Sequence, residues 1–360
     1  MKPLSRSESS TLHPTGVLKT MTRGRIVSLL AVLVLVAGCS PAEGPTEVVF
    51  DVEPAFSLEN ATVSVTILGS FNRGRDIANN GRVLTPFGFL DGSDLVELAP
   101  AFWPGRLSNT KVAGFTKQGS ATCPVAALYD VKKGVIQSLP LPSGFDGSEA
   151  DDVSNSGFAA GWFGIRNASA TCEVSTQIAA LWRQGEAQIL PPLAGGATSL
   201  ANAVNNSGQA AGLSSSPLGV RAVLWTDGVP VDLGTLGGTY ARALDVNDGG
   251  QVVGFSATVP GQASGPFRAF LWENGAMTDL GTLGGLSVAR GVNNRGMVVG
   301  ESSLPNGDQH AFVWHEGQMF DLGTLGGRQS QAYAINDRGQ IAGYSTAADG
   351  ATYTVIWEVR

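Results

Sequence analysis

The sequence predicts an all-β fold built from a repeated four-stranded unit, and three observations carry that prediction. The septet DLGTLGG occurs three times, at 232–238, 279–285 and 321–327. Each copy follows the same arrangement: a short apolar run containing Trp, a Gly-bearing turn and a second short run. The 360 residues include 48 glycines without a collagen-like period, 43% hydrophobic residues and only 15% charged ones. That composition suits many tight turns between short strands and excludes a disordered chain.

In chain order the first element is not a strand. Arg23 and Arg25 form a basic region before the apolar run from Ile26 to Ala37, which is shorter than the ~20 residues of a membrane-spanning helix. The run ends in Val36-Ala37-Gly38-Cys39, which resembles a bacterial lipobox. The resemblance implies cleavage before Cys39 and acylation of its thiol; an ordinary signal peptide or an uncleaved anchor is the alternative. Residues 1–38 are therefore assigned to a lipoprotein signal peptide, with Met21 a second possible start. Residues 39–60 are a flexible tether and 61–360 the repeat domain. Without 1–38, 18 Lys and Arg face 29 Asp and Glu, a net charge of −11. Such a surface repels phosphate backbones and argues against nucleic acid as a partner.

Alignment on the septet extends the repeat. The clearest units are 200–238, 241–285, 288–327 and 331–360, with divergent ones at 150–196, 107–142 and 76–98. The glycine after the Asn/Asp pair falls at 81, 157, 208, 250, 296 and 339, with Lys111 in its place in the second unit. In the copy at 241–285, ARALDVN, a DGG turn, QVVGFS, a longer loop, FRAFLWE, an NGA turn and MTDLG read as four antiparallel strands. No 3.6-residue apolar period survives the glycines, so helices are not expected. A unit of roughly 45 residues with four short strands predicts a β-propeller of about seven blades; six blades or an open array are the alternatives. The septet then closes each fourth strand and crosses to the next blade. Trp182, Trp225, Trp272, Trp314 and Trp357 share one register and are read as inter-blade packing, with Tyr129 and Asp91 there in the second and first units. The last unit stops after its third strand. Residues 63–71 (VSVTILGSF) lead into the first turn and are expected to supply the missing strand and close the ring.

RAFLWENGAMTDLGTLGG (268–285) and HAFVWHEGQMFDLGTLGG (310–327) resemble the bacterial extracellular HAF repeat, although only His310-Ala311-Phe312 keeps the triplet. The similarity is strong over 200–360 and fades toward residue 76. It implies secretion or surface display and a repeat architecture, and no catalytic residue can be carried over from it.

Motifs for chemistry are few. His310 and His315 have no second ligand at zinc spacing and no GxSxG context, so neither a metal nor a hydrolase triad is expected. Asp146, Glu149, Asp151 and Asp152 lack the spacing of a Ca²⁺ loop and read as a solvated inter-blade loop. Cys123 and Cys172 precede the third strand of adjacent units, and export would permit a disulfide between them, two free thiols being the alternative.

These readings describe a monomeric protein lipid-anchored in the bacterial cell envelope, at the outer membrane or cell surface, that is not an enzyme and carries no cofactor. It binds an unknown protein or glycan, or serves as a scaffold, through the loops 164–176, 214–221, 257–267, 302–309 and 346–351 on one face. The alternatives are a glycan-active enzyme, in which Asp76, Asp151, Asp152 and Asp245 would have to meet near the channel, and a purely structural envelope protein. The anchor is tested directly: Cys39→Ser should abolish labelling of the protein with a palmitate analogue, and undiminished labelling would rule acylation out.

Overall fold

The computed structural model describes residues 63–69, 74–86, 88–92, 94–117, 123–166 and 174–359. Among these residues every regular element is a strand, and the strands fall into seven antiparallel groups of four. Blades one to six run from Asp76 to Glu97, Phe102 to Ser138, Gly147 to Leu190, Ser199 to Asp232, Ala241 to Asp279 and Ser287 to Asp321. Blade seven takes three strands from Gly326 to Val359 and its fourth from Val63–Gly69. One parallel bridge, Gln309 to Gln329, joins it to blade six. Because successive strands reverse, the turns between first and second strands share a face with those between third and fourth. The second-to-third loops and the inter-blade crossings share the other, here called the loop face.

The septet repeats because each of its residues has a job at this crossing. Asp232, Asp279 and Asp321 end the fourth strands, and each Oδ1 accepts the amide two residues on, at 2.7–2.9 Å. That amide belongs to Gly234, Gly281 or Gly323, whose φ of 68–89° turns the chain and disfavours a side chain. Leu233, Leu280 and Leu322 are buried. The amides of Leu236, Leu283 and Leu325 donate to Ser256, Ser302 and Ser345 on the next blade's second strand, at 2.8–2.9 Å.

A second repeated device sits on the turn face. The backbone amides of Asn80, Asn109, Ser156, Asn206, Asp248, Asn294 and Asp337 each donate to a side-chain oxygen of the following blade. The acceptors are Asn109, Asn155, Asn206, Asp248, Asn294, Asp337 and Asn79, at 2.8–3.0 Å. The last bond runs from blade seven back to blade one, so the belt goes all the way round. Inside it, Asn205, Asn247, Asn293 and Asn336 donate through Nδ2 to the carbonyls of Asn247, Asn293, Asn336 and Ala78, at 2.9–3.1 Å. These four side chains are 3–5% exposed, so losing one leaves buried partners unsatisfied at about 1–3 kcal/mol.

The recurrent tryptophans pack between blades as their register predicts. Trp182, Trp225 and Trp357 are 1% exposed. Trp182 and Trp225 donate through Nε1 to Pro140 and Pro191 on the preceding crossing, both at 2.8 Å. The N-terminal strand pairs with the C-terminal one, Val63 opposite Val359 and Val65 opposite Trp357. Val65 is buried in a cluster with Val355 and Trp357. Residues 1–38 and 39–60 lie outside the described residues, as do Cys39 and Cys172.

Val65→Asp should therefore cost at least about 3 kcal/mol, because it forfeits a buried side chain and places a charge beside Trp357. Val65→Ile should be nearly neutral. Urea denaturation measures both, and an unchanged midpoint for Val65→Asp would contradict the docking of this strand.

Candidate functional site

The innermost strand of each blade passes the channel, and in the repeat pattern one of its positions is extruded. The register slips between Ala150 and Asp152, Ala201 and Ala203, Ala243 and Asp245, Ala289 and Gly291, and Ala332 and Ala334. The residue left unpaired is Asp151, Asn202, Leu244, Arg290 or Tyr333. In blade two the slip spans Gly105 and Arg106, and in blade one Arg75 holds the equivalent place. A bulge re-aims the side chain it frees. All seven residues, with Arg106, line one cavity of about 420 Å³ on the loop-face side of the channel. Small residues flank most of these positions, while the seven ring positions carry six different residue types, arginine standing at both 75 and 290.

Beneath this mouth the channel narrows to a charged plug. Asp76, Asp152 and Asp245, on blades one, three and five, each accept an amide of the following blade. The donors are Leu107, Val204 and Val292, at 2.6, 2.8 and 2.9 Å. Asp76 and Asp152 also accept the amides of Ile77 and Val153. Blades four and six carry Ala203 and Gly291 at this position, and blade two carries Arg106. The Arg106 guanidinium donates to Asp245 Oδ1 at 2.8 Å and to the Leu244 and Arg290 carbonyls at 3.1 and 3.4 Å. Burial alone would lower its pKa, but Asp245, Asp152 and Asp76 outweigh this and hold it above the ordinary value. Burial pushes Asp152 up to about 7, and raises Asp76, against the opposing pull of Arg106. Arg106 also lines the smaller cavity on the turn side, so it separates the two ends of the channel.

The mouth holds both engaged and unengaged groups. Arg290 is held by Glu301, with Nη2 2.6 Å from Oε1, and its guanidinium lies 5.2 Å from the Tyr333 ring centroid. Arg242 donates from Nη2 to Asn202 Oδ1 at 2.6 Å, and its Nε is buried without a partner. Asp151 is pushed up to about 7 by burial and then by Glu149, with Arg242 opposing. Glu149 is itself raised by burial, with Lys117 opposing. Among the described residues, neither of these two carboxyl groups has a hydrogen-bond partner.

Of the four acids that an enzyme reading requires to meet, three gather round Arg106 as inter-blade staples, and Asp151 stands apart in the mouth. The reading of a solvated loop holds for Asp146, which is exposed in the inter-blade crossing, and is corrected for Glu149, Asp151 and Asp152. Gly147–Val153 is the first strand of blade three, with Ser148 and Asp152 buried. The run of charge hides the strand because its acids serve the channel instead of alternating with apolar residues. His310 bonds Asp321 through Nδ1 at 2.8 Å, and Arg221 meets Asp232 in the same way at 3.1 Å, so the histidine of the His-Ala-Phe triplet ties the third strand of its blade to the fourth. Among the described residues no group of His, Cys, Asp and Glu could hold a metal ion. Cys123 precedes the third strand of blade two; its proposed partner Cys172 lies outside the described residues. The extruded ring was not foreseen, although the Ala-x-Ala and Ala-x-Gly patterns at 201–203, 289–291 and 332–334 mark it.

No family model matches the chain, and no curated protein matches it by sequence. Solved structures share its fold. The β-propeller domain of the Trilobed protease from Pyrococcus furiosus is 9% identical, with a TM-score of 0.51, over 84% of this chain and 94% of that one. Acylaminoacyl peptidase from Pyrococcus horikoshii is 13% identical with a TM-score of 0.49, and the chain covers 50% of it by 84% of its own length. TolB from Acinetobacter baumannii is 12% identical with a TM-score of 0.42, over 70% of this chain and 65% of TolB. The chain is a β-propeller. The expectation that it is not an enzyme is corrected by the first of these neighbours. The propeller of the Trilobed protease is a domain of a protease, so the fold is no ground for excluding catalysis. The missing histidine motifs exclude only mechanisms that need them.

Asp151 yields a pH prediction. Its folded pKa lies above that of the unfolded chain, so the folded state keeps an extra proton between the ordinary carboxylate range and about pH 7. The stability this confers is complete below that range and is lost as pH rises through 7. Asp151→Asn should match the wild type near pH 4 and exceed it by about 1–3 kcal/mol above pH 7. Asp152→Asn should destabilise, because Asp152 accepts two amide bonds. Thermal melts across pH 4–8 measure both, and a pH-independent difference for Asp151→Asn would contradict the assignment.

Proposed function

We propose that the protein is a binding module of the bacterial cell envelope, anchored through an acylated Cys39, that receives its ligand at the loop-face mouth of the propeller channel. One observation carries the binding role. Seven structurally equivalent positions carry Arg75, Gly105, Asp151, Asn202, Leu244, Arg290 and Tyr333 round one cavity, in a molecule whose other repeat positions are spent on holding blades together. A purely structural ring has no need for chemical variety there. Cavities of this size with a few convergent polar groups suit small ligands or the tip of a larger one. The loops 214–221, 257–267, 302–309 and 346–351 rise on the same face and would surround whatever enters. The lipobox supports the anchor, and a Cys123–Cys172 bridge would tie blade two to blade three in the oxidising compartment that export implies. The unengaged carboxyl groups of Glu149 and Asp151 favour one second reading, in which the bound ligand also undergoes acid–base chemistry.

Capture experiments on envelope extracts and cell-wall fragments test the binding role. Immobilised full-length protein should retain a specific species that Leu244→Trp, which fills the mouth, releases. Lys133→Ala on the turn face should leave capture unchanged. Equal retention by Leu244→Trp and wild type would overturn the assignment of the mouth.

A further inference from the structure

The mouth is not uniform. On the side of blades two and three the ring position is Gly105, and its backbone lies against blade three. A Cβ there would come within 2.7 Å of the Asp151 carbonyl oxygen. With no side chain at this place the first strand of blade two packs directly on the backbone of blade three, and Trp103 lies two residues before Gly105 on that strand. Trp103 is 44% exposed, whereas the tryptophans of the repeat register at 182, 225 and 357 are buried. Its ring lies parallel to that of Phe115, with centroids 5.4 Å apart and planes 4° apart. Phe115 fixes one face of the indole. Lys117 Nζ lies 5.7 Å from the Phe115 centroid, and its charge acts on Glu149, whose charge acts in turn on Asp151. Phe115 and Lys117 thus connect Trp103 to Glu149, and Glu149 and Arg242 stand beside Asp151 and Asn202 of the cavity.

The chemistry of these groups is specific. Glu149 and Asp151 offer carboxyl groups without a partner among the described residues. Arg242 uses one of its donors on Asn202 and leaves its buried Nε unmatched. An apolar ligand would strand these groups, because Leu244 is the only aliphatic residue of the ring. A simple anion would meet the two carboxyl groups. A ligand of adjacent hydroxyl groups satisfies both kinds, since each hydroxyl donates to a carboxylate and accepts from a guanidinium or amide. A pyranose ring adds an apolar C–H face for the exposed indole.

We infer that the mouth, on the side where blades two and three meet, binds a saccharide, its ring on Trp103 and vicinal hydroxyls read by Asp151, Glu149 and Arg242. This rests on the binding role proposed above and narrows it to one class of ligand.

The test is a printed array of neutral and uronate-bearing oligosaccharides probed with the full-length protein, followed by titration of the best binder. Wild type should bind at least one saccharide. Trp103→Ala and Asp151→Ala should each weaken it at least tenfold with the melting temperature maintained, and Trp103→Phe should restore part of the loss. Inorganic phosphate should not compete. No saccharide bound, or binding unaffected by Trp103→Ala and Asp151→Ala, would overturn the inference. Competition by phosphate would also overturn it, because the site would then read an anion. Failure here alongside mouth-dependent capture of another species refutes the saccharide and leaves the binding role standing. Loss of both refutes the mouth itself.

Discussion

The structure depends on a constraint that no blade can meet alone. The tight turn leaving each innermost strand has a backbone amide aimed out of its own blade, and the oxygen that accepts it belongs to an Asn or Asp of the next. Seven such bonds run head to tail from Asn80 to Asp337 and back to Asn79. A chain of single bonds along an open array would leave its end donor and end acceptor to water; closed into a ring it has no end. The buried asparagines at 205, 247, 293 and 336 repeat this logic one layer deeper. Packing of tryptophan between blades supplies apolar burial, and the belt supplies the register in which that burial occurs.

The site follows from the same geometry. Once the innermost strands are fixed round an axis, a bulge in blades three to seven aims one side chain at the channel, and the neighbouring position either staples blades or fills the lumen. Asp76, Asp152 and Asp245 take the stapling role; the single charge of Arg106 offsets part of theirs, and burial raises the pKa of Asp76 and Asp152. Stability and specificity are thereby divided between adjacent residues of one strand. Asp152 accepts two amides, while Asp151 beside it accepts none and costs stability above pH 7. A residue that destabilises and faces a cavity is what a site exchanging stability for ligand contacts would contain.

Much of the fold was legible in the sequence because repetition exposes local chemistry. The septet, the Asx-Gly turns and the tryptophan register are contacts a blade makes with itself or its immediate neighbour, and they recur at fixed spacing. The closing strand at 63–69 was legible because the last unit lacks a fourth strand. The channel was not. Arg106, Asp152 and Asp245 are far apart in the chain and meet only through the curvature of the whole ring, so no local pattern announces them. Glu149 to Asp152 was misread as a loop because inner-strand side chains face neighbouring blades or the channel, and an acidic channel residue breaks the apolar alternation that marks a strand. The extruded ring hid for the opposite reason: its residues share a position and, apart from Arg75 and Arg290, no chemistry, so aligning the repeats dismisses them as noise.

Closure of the belt is the central claim, and amide hydrogen exchange tests it most directly. The amides of Asp248 and Asp337 make equivalent bonds, the first between blades five and six and the second across the junction of blade seven with blade one. In a closed ring the two should be protected alike, and Asn80, whose amide makes the next link after the junction, should match them. Rapid exchange at Asp337 with protection retained at Asp248 would show an open array, and the mouth that collects seven side chains round one cavity would not exist in solution.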